Sequence, residues 1–219
     1  MGRTHVRWLT LALLLVVGVS EDAQAQLKGH YIPGFTGLGN GSQPPPSITL
    51  AVPIYLYRTD TLKDDRGQTV GVNPQINVAF TGLSVVMVTN AKILGANYGF
   101  QIVPVDAMKS RIETNSLDVP GELAISDITV MPVWLGWHKA RADFDVAYSF
   151  FVPTGKWEQG GSDNSGLGMW SHDFQFGTTV HLDDKRAWTT SVLATYEIHT
   201  HKKDTDIKAG DILTIEGGT

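Results

Sequence analysis

The stretch that decides the fold is Asp143-Phe144-Asp145-Val146-Ala147-Tyr148-Ser149-Phe150-Phe151-Val152. Its apolar and polar members alternate, with Phe144, Val146, Tyr148 and Phe150 set against Asp143, Asp145, Ala147 and Ser149. Successive side chains of a β-strand point to opposite faces, so one face of this stretch is apolar and the other is largely polar. The period of two therefore predicts a long amphipathic strand.

The same alternation returns along most of the chain from residue 48 onward, in stretches rich in β-branched and aromatic residues. These features together predict strands. Pro53 and Pro132 fall inside two of the stretches, and because proline donates no ladder hydrogen bond, each predicts a bulge or a local edge. The predicted strands are residues 47–58, 77–89, 93–104, 127–137, 143–152, 170–182, 188–199 and 210–216.

The connections between the predicted strands alternate in length. Short turns near residues 90–92, 138–141 and 183–186 alternate with long polar links at residues 59–76, 105–126, 153–169 and 200–209. Long strands with short turns at one end and long loops at the other are typical of transmembrane β-barrels. The predicted fold is all-β, an antiparallel up-and-down transmembrane β-barrel with seven or eight strands visible.

The period alone does not determine which face of the sheet turns inward. A soluble periplasmic calyx that binds an apolar ligand would place the apolar face inside. We favour an outward apolar face, because the opposite face carries Asp, Asn, Gln and Glu within long strands, which suits a wet lumen. Five tryptophans near predicted strand ends fit an interfacial aromatic girdle, namely Trp134, Trp137, Trp157, Trp170 and Trp188.

The N-terminus predicts export. Arg3 and Arg7 precede an apolar run at residues 8–19, which is followed by the small-residue tripeptide Ala23-Gln24-Ala25. This pattern is that of a secretory signal peptide, here residues 1–25. Residues 26–47 then predict an irregular segment rich in glycine and proline, and residues 48–219 predict the barrel domain.

Composition excludes several classes of protein. The formal net charge is −5, so nucleic acid is not a predicted partner. The chain has no cysteine, which excludes disulfides, thiolate metal sites and a cysteine nucleophile. The glycine cluster at residues 37–41 follows no predicted strand and opens no predicted helix, so it does not indicate a phosphate-binding loop.

Several motifs resemble those of a known family. They include the opening Gly29-His30-Tyr31-Ile32-Pro33-Gly34, the Pro44-Pro45-Pro46 turn and residues 127–137 with their Pro-x-x-Leu-x-Trp ending. Two more are residues 151–157, with a Pro-Thr-Gly turn, and residues 164–170, with the pattern Asn-x-Gly-x-Gly-x-Trp. The chain resembles the outer-membrane β-barrel family named for the meta-pathway of phenol degradation. The resemblance implies a barrel that admits small hydrophobic or aromatic compounds. It also implies further strands beyond residue 219, so that the visible strands are expected to be an incomplete part of a larger barrel.

The sequence thus predicts an outer-membrane channel or transporter in contact with lipid, with no cofactor and no enzymatic role. Polar residues on the less apolar strand faces are predicted to line its lumen. These are Asn97, Gln101, Asp143, Asp145, Asp173, Gln175, His181 and Glu197.

Three chemical alternatives compete with that prediction. His199 and His201 share one strand face and, with Asp204 or His181, could ligate a metal, although no recognised ligand spacing supports it. Asp143 and Asp145, with Asp173 on a neighbouring strand, could act as acid and base groups, but no orienting partner is visible. An outer-membrane hydrolase would pair Ser171 or Ser191 with His172 or His181, without any nucleophile-elbow pattern.

Overall fold

The structure is a computed structural model of the chain. It describes residues 29–34, 36–61, 63–64, 66–71, 74–114, 118–161 and 163–219. The predicted signal peptide lies outside the described residues.

The described residues form one antiparallel sheet, which confirms the all-β class. The strands are β1 (Ser47–Ala51), β2 (Ile54–Thr59), β3 (Gln75–Ile93), β4 (Ala96–Glu113), β5 (Asp118–Pro120), β6 (Ala124–Ile125), β7 (Ile128–His138), β8 (Ala142–Val152), β9 (Ser171–His181), β10 (Thr189–His199) and β11 (Ile212–Gly218). The order across the sheet is β1-β3-β4-β7-β8-β9-β10-β11, while β2 also pairs with β3, and β5 and β6 pair with β4. No helix in this part of the chain is both long and apolar enough to cross a membrane.

Neighbours along the chain are mostly neighbours in the sheet, as expected for an up-and-down barrel. The sheet is not closed: within the described residues, β11 forms no ladder with the β1–β2 edge. Each predicted strand is present, and the ends of β7, β8, β9 and β10 fall within about two residues of their predicted positions.

Two predicted connections are wrong. The turn expected at residues 90–92 lies inside β3, where the ladder to β4 skips from Val88 to Lys92 and leaves a bulge. The actual turn is Leu94-Gly95, and both residues have positive φ, as a tight two-residue hairpin requires. The loop expected at residues 105–126 is largely strand, because β4 runs on to Glu113 and β5 and β6 fold back against it.

Both prolines interrupt regular pairing, as predicted. Val52 and Pro53 separate β1 from β2, although both strands pair with β3. On β7, the ladder to β8 shifts between Val130 and Val133, on either side of Pro132. In each case a residue without an N–H group occupies a position where the ladder is broken.

The apolar face of the long strands is the exposed face. In β8 and β9, Phe144, Phe174 and Phe176 are 40%, 48% and 54% exposed, whereas Asp145 is 5% exposed and Asp173 is fully buried. A soluble calyx would show the reverse burial. We call the buried, largely polar face the inner face and the apolar face the outer face.

The inner face is covered by the N-terminal segment, which we define as residues 29–34 and 36–46. Its only regular structure among the described residues is a single 3₁₀ turn, Gly37–Gly39. The segment contacts the ends of β9 and β10 near the long loops through His30, and it contacts β8 near its short turn through Ser42. It therefore runs along the inner face from the long-loop end to the short-turn end before β1 begins.

Candidate functional site

The N-terminal segment is fixed to the sheet by His30. The His30 Nε2 atom lies 2.8 Å from Asp127 Oδ2, and the Nδ1 atom lies 2.9 Å from Ser171 Oγ. Glu197 Oε1 is a further 3.4 Å neighbour of Nδ1. The imidazole also stacks on Phe151, with ring centroids 4.4 Å apart. One side chain thereby joins residues that are distant in sequence.

Two glutamates of the last strands hold the backbone around His30. Glu197 on β10 accepts hydrogen bonds from the backbone N–H groups of His30 and Tyr31, at 2.8 and 3.2 Å. Glu216 on β11 accepts one from the Tyr31 hydroxyl at 2.6 Å and another from the Gly34 N–H at 2.5 Å. These charge-assisted bonds give the irregular segment a defined path.

The environment of His30 favours its charged form. Burial of the ring opposes protonation, but the hydrogen bonds with Asp127 and Glu197 outweigh it and raise the pKa of His30. Burial of Asp127 opposes ionisation, yet the bond with His30 and the N–H groups of Leu167 and Gly155 hold the pKa of Asp127 below its usual value. The pair is therefore most strongly stabilised when His30 is protonated and Asp127 is ionised.

Asp127 also organises the long loop between β8 and β9. Its carboxylate accepts hydrogen bonds from the N–H groups of Gly155 and Leu167, at 2.9 and 2.8 Å. The Leu167 carbonyl accepts a bond from the Lys202 ammonium at 3.0 Å, and that ammonium lies over the Trp157 ring. Asp127 thus connects the N-terminal segment to the loops at this end of the sheet.

At the short-turn end, the N-terminal segment approaches the strands closely. Ser42 donates to Asp143 at 3.0 Å, and Gln43 donates to the Trp134 carbonyl at 2.8 Å. A Cβ atom on Gly41 would overlap the Thr178 backbone, and one on Gly136 would overlap the Gln43 side chain. Glycine is required at these two positions because any side chain would push the segment away from the sheet.

A cavity of about 320 Å³ lies between the N-terminal segment and the inner face. This volume is at the lower end of the roughly 300–1,000 Å³ that is usual for small-molecule sites. Its wall combines apolar and polar side chains. They include Phe80, Val103, Met108, Met131 and Phe151 on the apolar side and Gln101, Asp106, Asp127, Ser149 and Gln175 on the polar side.

The structure places five of the residues predicted to line a lumen beside the N-terminal segment or the cavity. Glu197 and Asp143 bind the segment directly. Gln101 and Gln175 line the cavity, and Asp173 accepts a hydrogen bond from Gln175 at 2.6 Å. Whether these residues line an open passage stays a prediction.

The other three predicted residues lie nearer the short-turn end. Asp145 is buried and accepts a hydrogen bond from the Trp134 indole at 2.8 Å. His181 is buried, with its Nε2 atom 3.4 Å from Asp143. Asn97 is buried and donates to the Thr89 carbonyl at 2.9 Å.

Sequence reasoning missed His30, Asp106 and Asp127. His30 belongs to a segment with no period, so nothing in the pattern assigned it to the inner face. Asp106 was assigned to a loop, but the β3–β4 register shifts near Pro104, so that Asp106 and Met108 line the same cavity as Gln101 and Val103. The proline at this bulge was the available signal.

The chemical alternatives gain no support from the geometry. Ser171 contacts His30 and His199, whereas His172 lies on the other face and bonds to the Tyr148 hydroxyl. Although Ser171, His30 and Asp127 form a hydrogen-bonded row, Ser171 is completely buried, so no substrate carbonyl can reach its hydroxyl. Among the described residues, no group of three His, Asp or Glu side chains is placed to hold a metal ion.

The tryptophans are divided between two environments. Trp170 and Trp188 are exposed and lie just before β9 and β10, at opposite ends of the sheet, as an aromatic girdle requires. The prediction of a place in the aromatic girdle is wrong for two tryptophans. The Trp134 indole donates inward to Asp145, and Trp157 packs against Gly168 within the long loop.

Comparison with known proteins agrees with this architecture. Residues 59–218 match the family described as "Putative MetA-pathway of phenol degradation". This match spans most of the chain, and the protein belongs to that family. A comparison with curated proteins found no match.

A solved structure shares the fold. The COG4313 outer membrane channel from Pseudomonas putida F1 superposes with a TM-score of 0.61 at 17% sequence identity. The match covers 76% of this chain and 61% of that channel, so the chain corresponds to about three fifths of the channel's length. The predicted family and the predicted barrel class are both confirmed.

Proposed function

We propose that the protein is an outer-membrane channel for small aromatic solutes, and that the N-terminal segment narrows its route. The observation that carries the proposal is the direction of the two sheet faces. Apolar side chains are exposed on the outer face, where lipid would cover them, and polar side chains are gathered on the inner face around the N-terminal segment. Such a distribution suits a barrel with a hydrated interior.

The fold shared with an outer membrane channel supports the transport class, and the family's description supports a connection with phenol degradation. The cavity supports a small aromatic solute, because phenylalanine and methionine side chains face amide and carboxyl groups across it. A compound with one aromatic ring and one polar group has the same division between apolar and polar surface.

Ion current tests the proposal directly. Full-length protein reconstituted in planar lipid bilayers is expected to give discrete conductance steps, and added phenol is expected to interrupt the current transiently as it occupies the route. Absence of conductance steps would reject the channel. Conductance that phenol leaves unchanged, over concentrations that leave protein-free bilayers intact, would reject the aromatic solute.

A further inference from the structure

The cavity beneath the N-terminal segment contains a carboxylate whose hydrogen-bonding capacity is not fully used by the protein. Asp106 lies in its wall, is 5% exposed, and has one carboxylate oxygen with no hydrogen-bond partner. A buried carboxylate oxygen that lacks a hydrogen-bond partner is rare and costly, so a ligand in the cavity that donates to Asp106 would relieve this cost. In its ionised form, Asp106 accepts hydrogen bonds and has none to donate.

The two glutamine amides and the imidazole of the cavity wall already have hydrogen-bond partners. The amide of Gln101 donates to Ser84 at 2.8 Å, and the amide of Gln175 donates to Asp173. Both ring nitrogens of His30 have partners in Asp127 and Ser171. Of the described residues that line the cavity, none is a lysine or arginine.

The electrostatic surroundings are acidic as well. Asp127 lines the same cavity as Asp106, and Asp173 accepts a hydrogen bond from the cavity residue Gln175. The nearby cation Lys202 does not line the cavity, and its ammonium is occupied by the Leu167 carbonyl and the Trp157 ring. A carboxylate ligand would meet like charge and, in the described part of the wall, no lysine or arginine, which disfavours its binding.

The apolar half of the cavity fixes the shape of the ligand. Phe80, Met108, Met131 and Phe151 supply aromatic and thioether surface. Flat rings pack favourably against both kinds of group. The volume of the cavity is sufficient for one such ring.

We infer that this cavity is a binding site for single-ring aromatic compounds whose polar group donates a hydrogen bond, and that Asp106 makes the site reject aromatic carboxylates. The inference deepens the proposed function, since the cavity would lie on the proposed route. In the bound complex, a phenol hydroxyl or an aromatic ammonium group donates to Asp106 while the ring packs among the methionine and phenylalanine side chains.

Equilibrium binding to the full-length protein in detergent tests the site, with phenol, benzylamine and benzoate as probes in titration calorimetry at pH 8.5. We expect phenol and benzylamine to bind and benzoate to bind at least about tenfold more weakly, as the loss of one charge-assisted bond implies. Benzoate binding as tight as phenol binding would overturn the inference.

Two variants assign the selectivity to Asp106. D106N removes the charge of the side chain. It is expected to weaken benzylamine binding at least about tenfold and to reduce the difference between the affinities for phenol and benzoate. D106E keeps the charge and should therefore keep the wild-type order of affinities. The matched control is D163N, because Asp163 is an exposed loop residue paired with Lys156. Unchanged selectivity in folded D106N would overturn the assignment. If D106N fails to fold, the wild-type comparison of the three probes still decides the inference.

The outcomes separate this inference from the proposed function. Selective binding without conductance in bilayers would leave the site standing and reject the channel. Conductance with equal binding of all three probes would leave the channel standing and reject the site.

Discussion

At the scale of single residues, the distinctive feature is His30. It brings together Asp127, Ser171 and Glu197, each of which lies at or near the end of a strand beside the long loops. Breaking a buried charge pair by removing one partner typically costs about 3–5 kcal/mol, because the other charge is left buried. Removal of the His30 side chain should therefore release the part of the N-terminal segment that lies near the long loops.

The first prediction concerns His30→Ala. Because release of the N-terminal segment would widen the proposed route, we expect a larger conductance in planar bilayers. About 3 kcal/mol corresponds to a more than hundredfold change in the equilibrium between docked and released segment. D163N serves as the control and should resemble the wild type. An unchanged conductance in His30→Ala would contradict the proposal that the N-terminal segment narrows the route.

The second prediction concerns pH. The raised pKa of His30 means that its pairing stabilises the docked segment at pH values below the ordinary value of 6.5, and that this contribution is lost as pH rises through the raised pKa. The lowered pKa of Asp127 means that its contribution is present above the ordinary value of 3.8 and is lost as pH falls through the lowered pKa.

Conductance should therefore be lower while His30 is protonated and Asp127 is ionised, and it should increase as pH rises through the raised pKa of His30. Bilayer recordings across a pH series measure this directly. The increase should be absent in His30→Ala, which has no imidazole to titrate. A pH response of equal size in that variant would assign the effect to another group.

At the scale of elements, glycines allow the N-terminal segment to lie directly on the strands. Gly41 meets the backbone of Thr178 on β9, which cannot move aside without breaking the ladder to its neighbours. Gly39 belongs to the same segment, but a Cβ atom there would have no neighbour within 4 Å. The two positions form a natural matched pair.

The third prediction compares Gly41→Ala with Gly39→Ala. The change at Gly41 should displace the segment and increase conductance, because the added methyl group overlaps backbone atoms, whereas the change at Gly39 should have little effect. Limited proteolysis of the segment in folded protein provides a second measurement. Equal behaviour of the two variants would show that close approach at Gly41 does not hold the segment.

Two adjacent residues of β9 allow a test of which sheet face is turned toward lipid. Phe176 and Gln175 are adjacent on β9 but belong to opposite faces, since Phe176 is exposed and Gln175 lines the cavity. An arginine that faces lipid near the bilayer midplane costs about 2–4 kcal/mol.

The fourth prediction is that Phe176→Arg lowers the free energy of unfolding in lipid vesicles by about 2–4 kcal/mol. Gln175→Arg should cost less, because its guanidinium group would lie among Asp106, Asp127 and Asp173 on the inner side. Urea titrations followed by heat-modifiable gel migration measure both variants. A larger decrease in the free energy of unfolding for Gln175→Arg than for Phe176→Arg would reverse the assignment of the two faces.

At the scale of the whole molecule, the sheet separates two environments. Its outer face carries exposed apolar side chains on every long strand from β7 to β11, whereas the inner face buries carboxylates and hydroxyls beneath the N-terminal segment. This division fits a wall between hydrocarbon and water.

The fifth prediction follows from that division. Photoactivatable lipids in reconstituted vesicles should label Phe144 and Phe176 and should leave Asp145 and Gln175 unlabelled. Mass spectrometry of the labelled peptides locates the modified residues. Preferential labelling of the inner-face residues would contradict a membrane-spanning sheet with this orientation.

The sequence by itself determined the presence of the strands, the approximate ends of β7 to β10 and the alternation of polar and apolar residues, because these depend on local periodicity. It also supplied the family through short motifs. It could not decide which face turns inward, since a period of two is the same for either choice. It misplaced the turn before β4 because Asn90-Ala91-Lys92 has the composition of a turn, although it forms a bulge.

Only the tertiary structure decided what covers the inner face. His30 contacts Asp127 across 97 positions of sequence and Glu197 across 167, and no local pattern relates residues so far apart. Asp106 reached the cavity through a register shift near Pro104 that reversed the expected alternation. Local periodicity fixes each strand separately, but burial and charge pairing depend on how the strands and the N-terminal segment assemble.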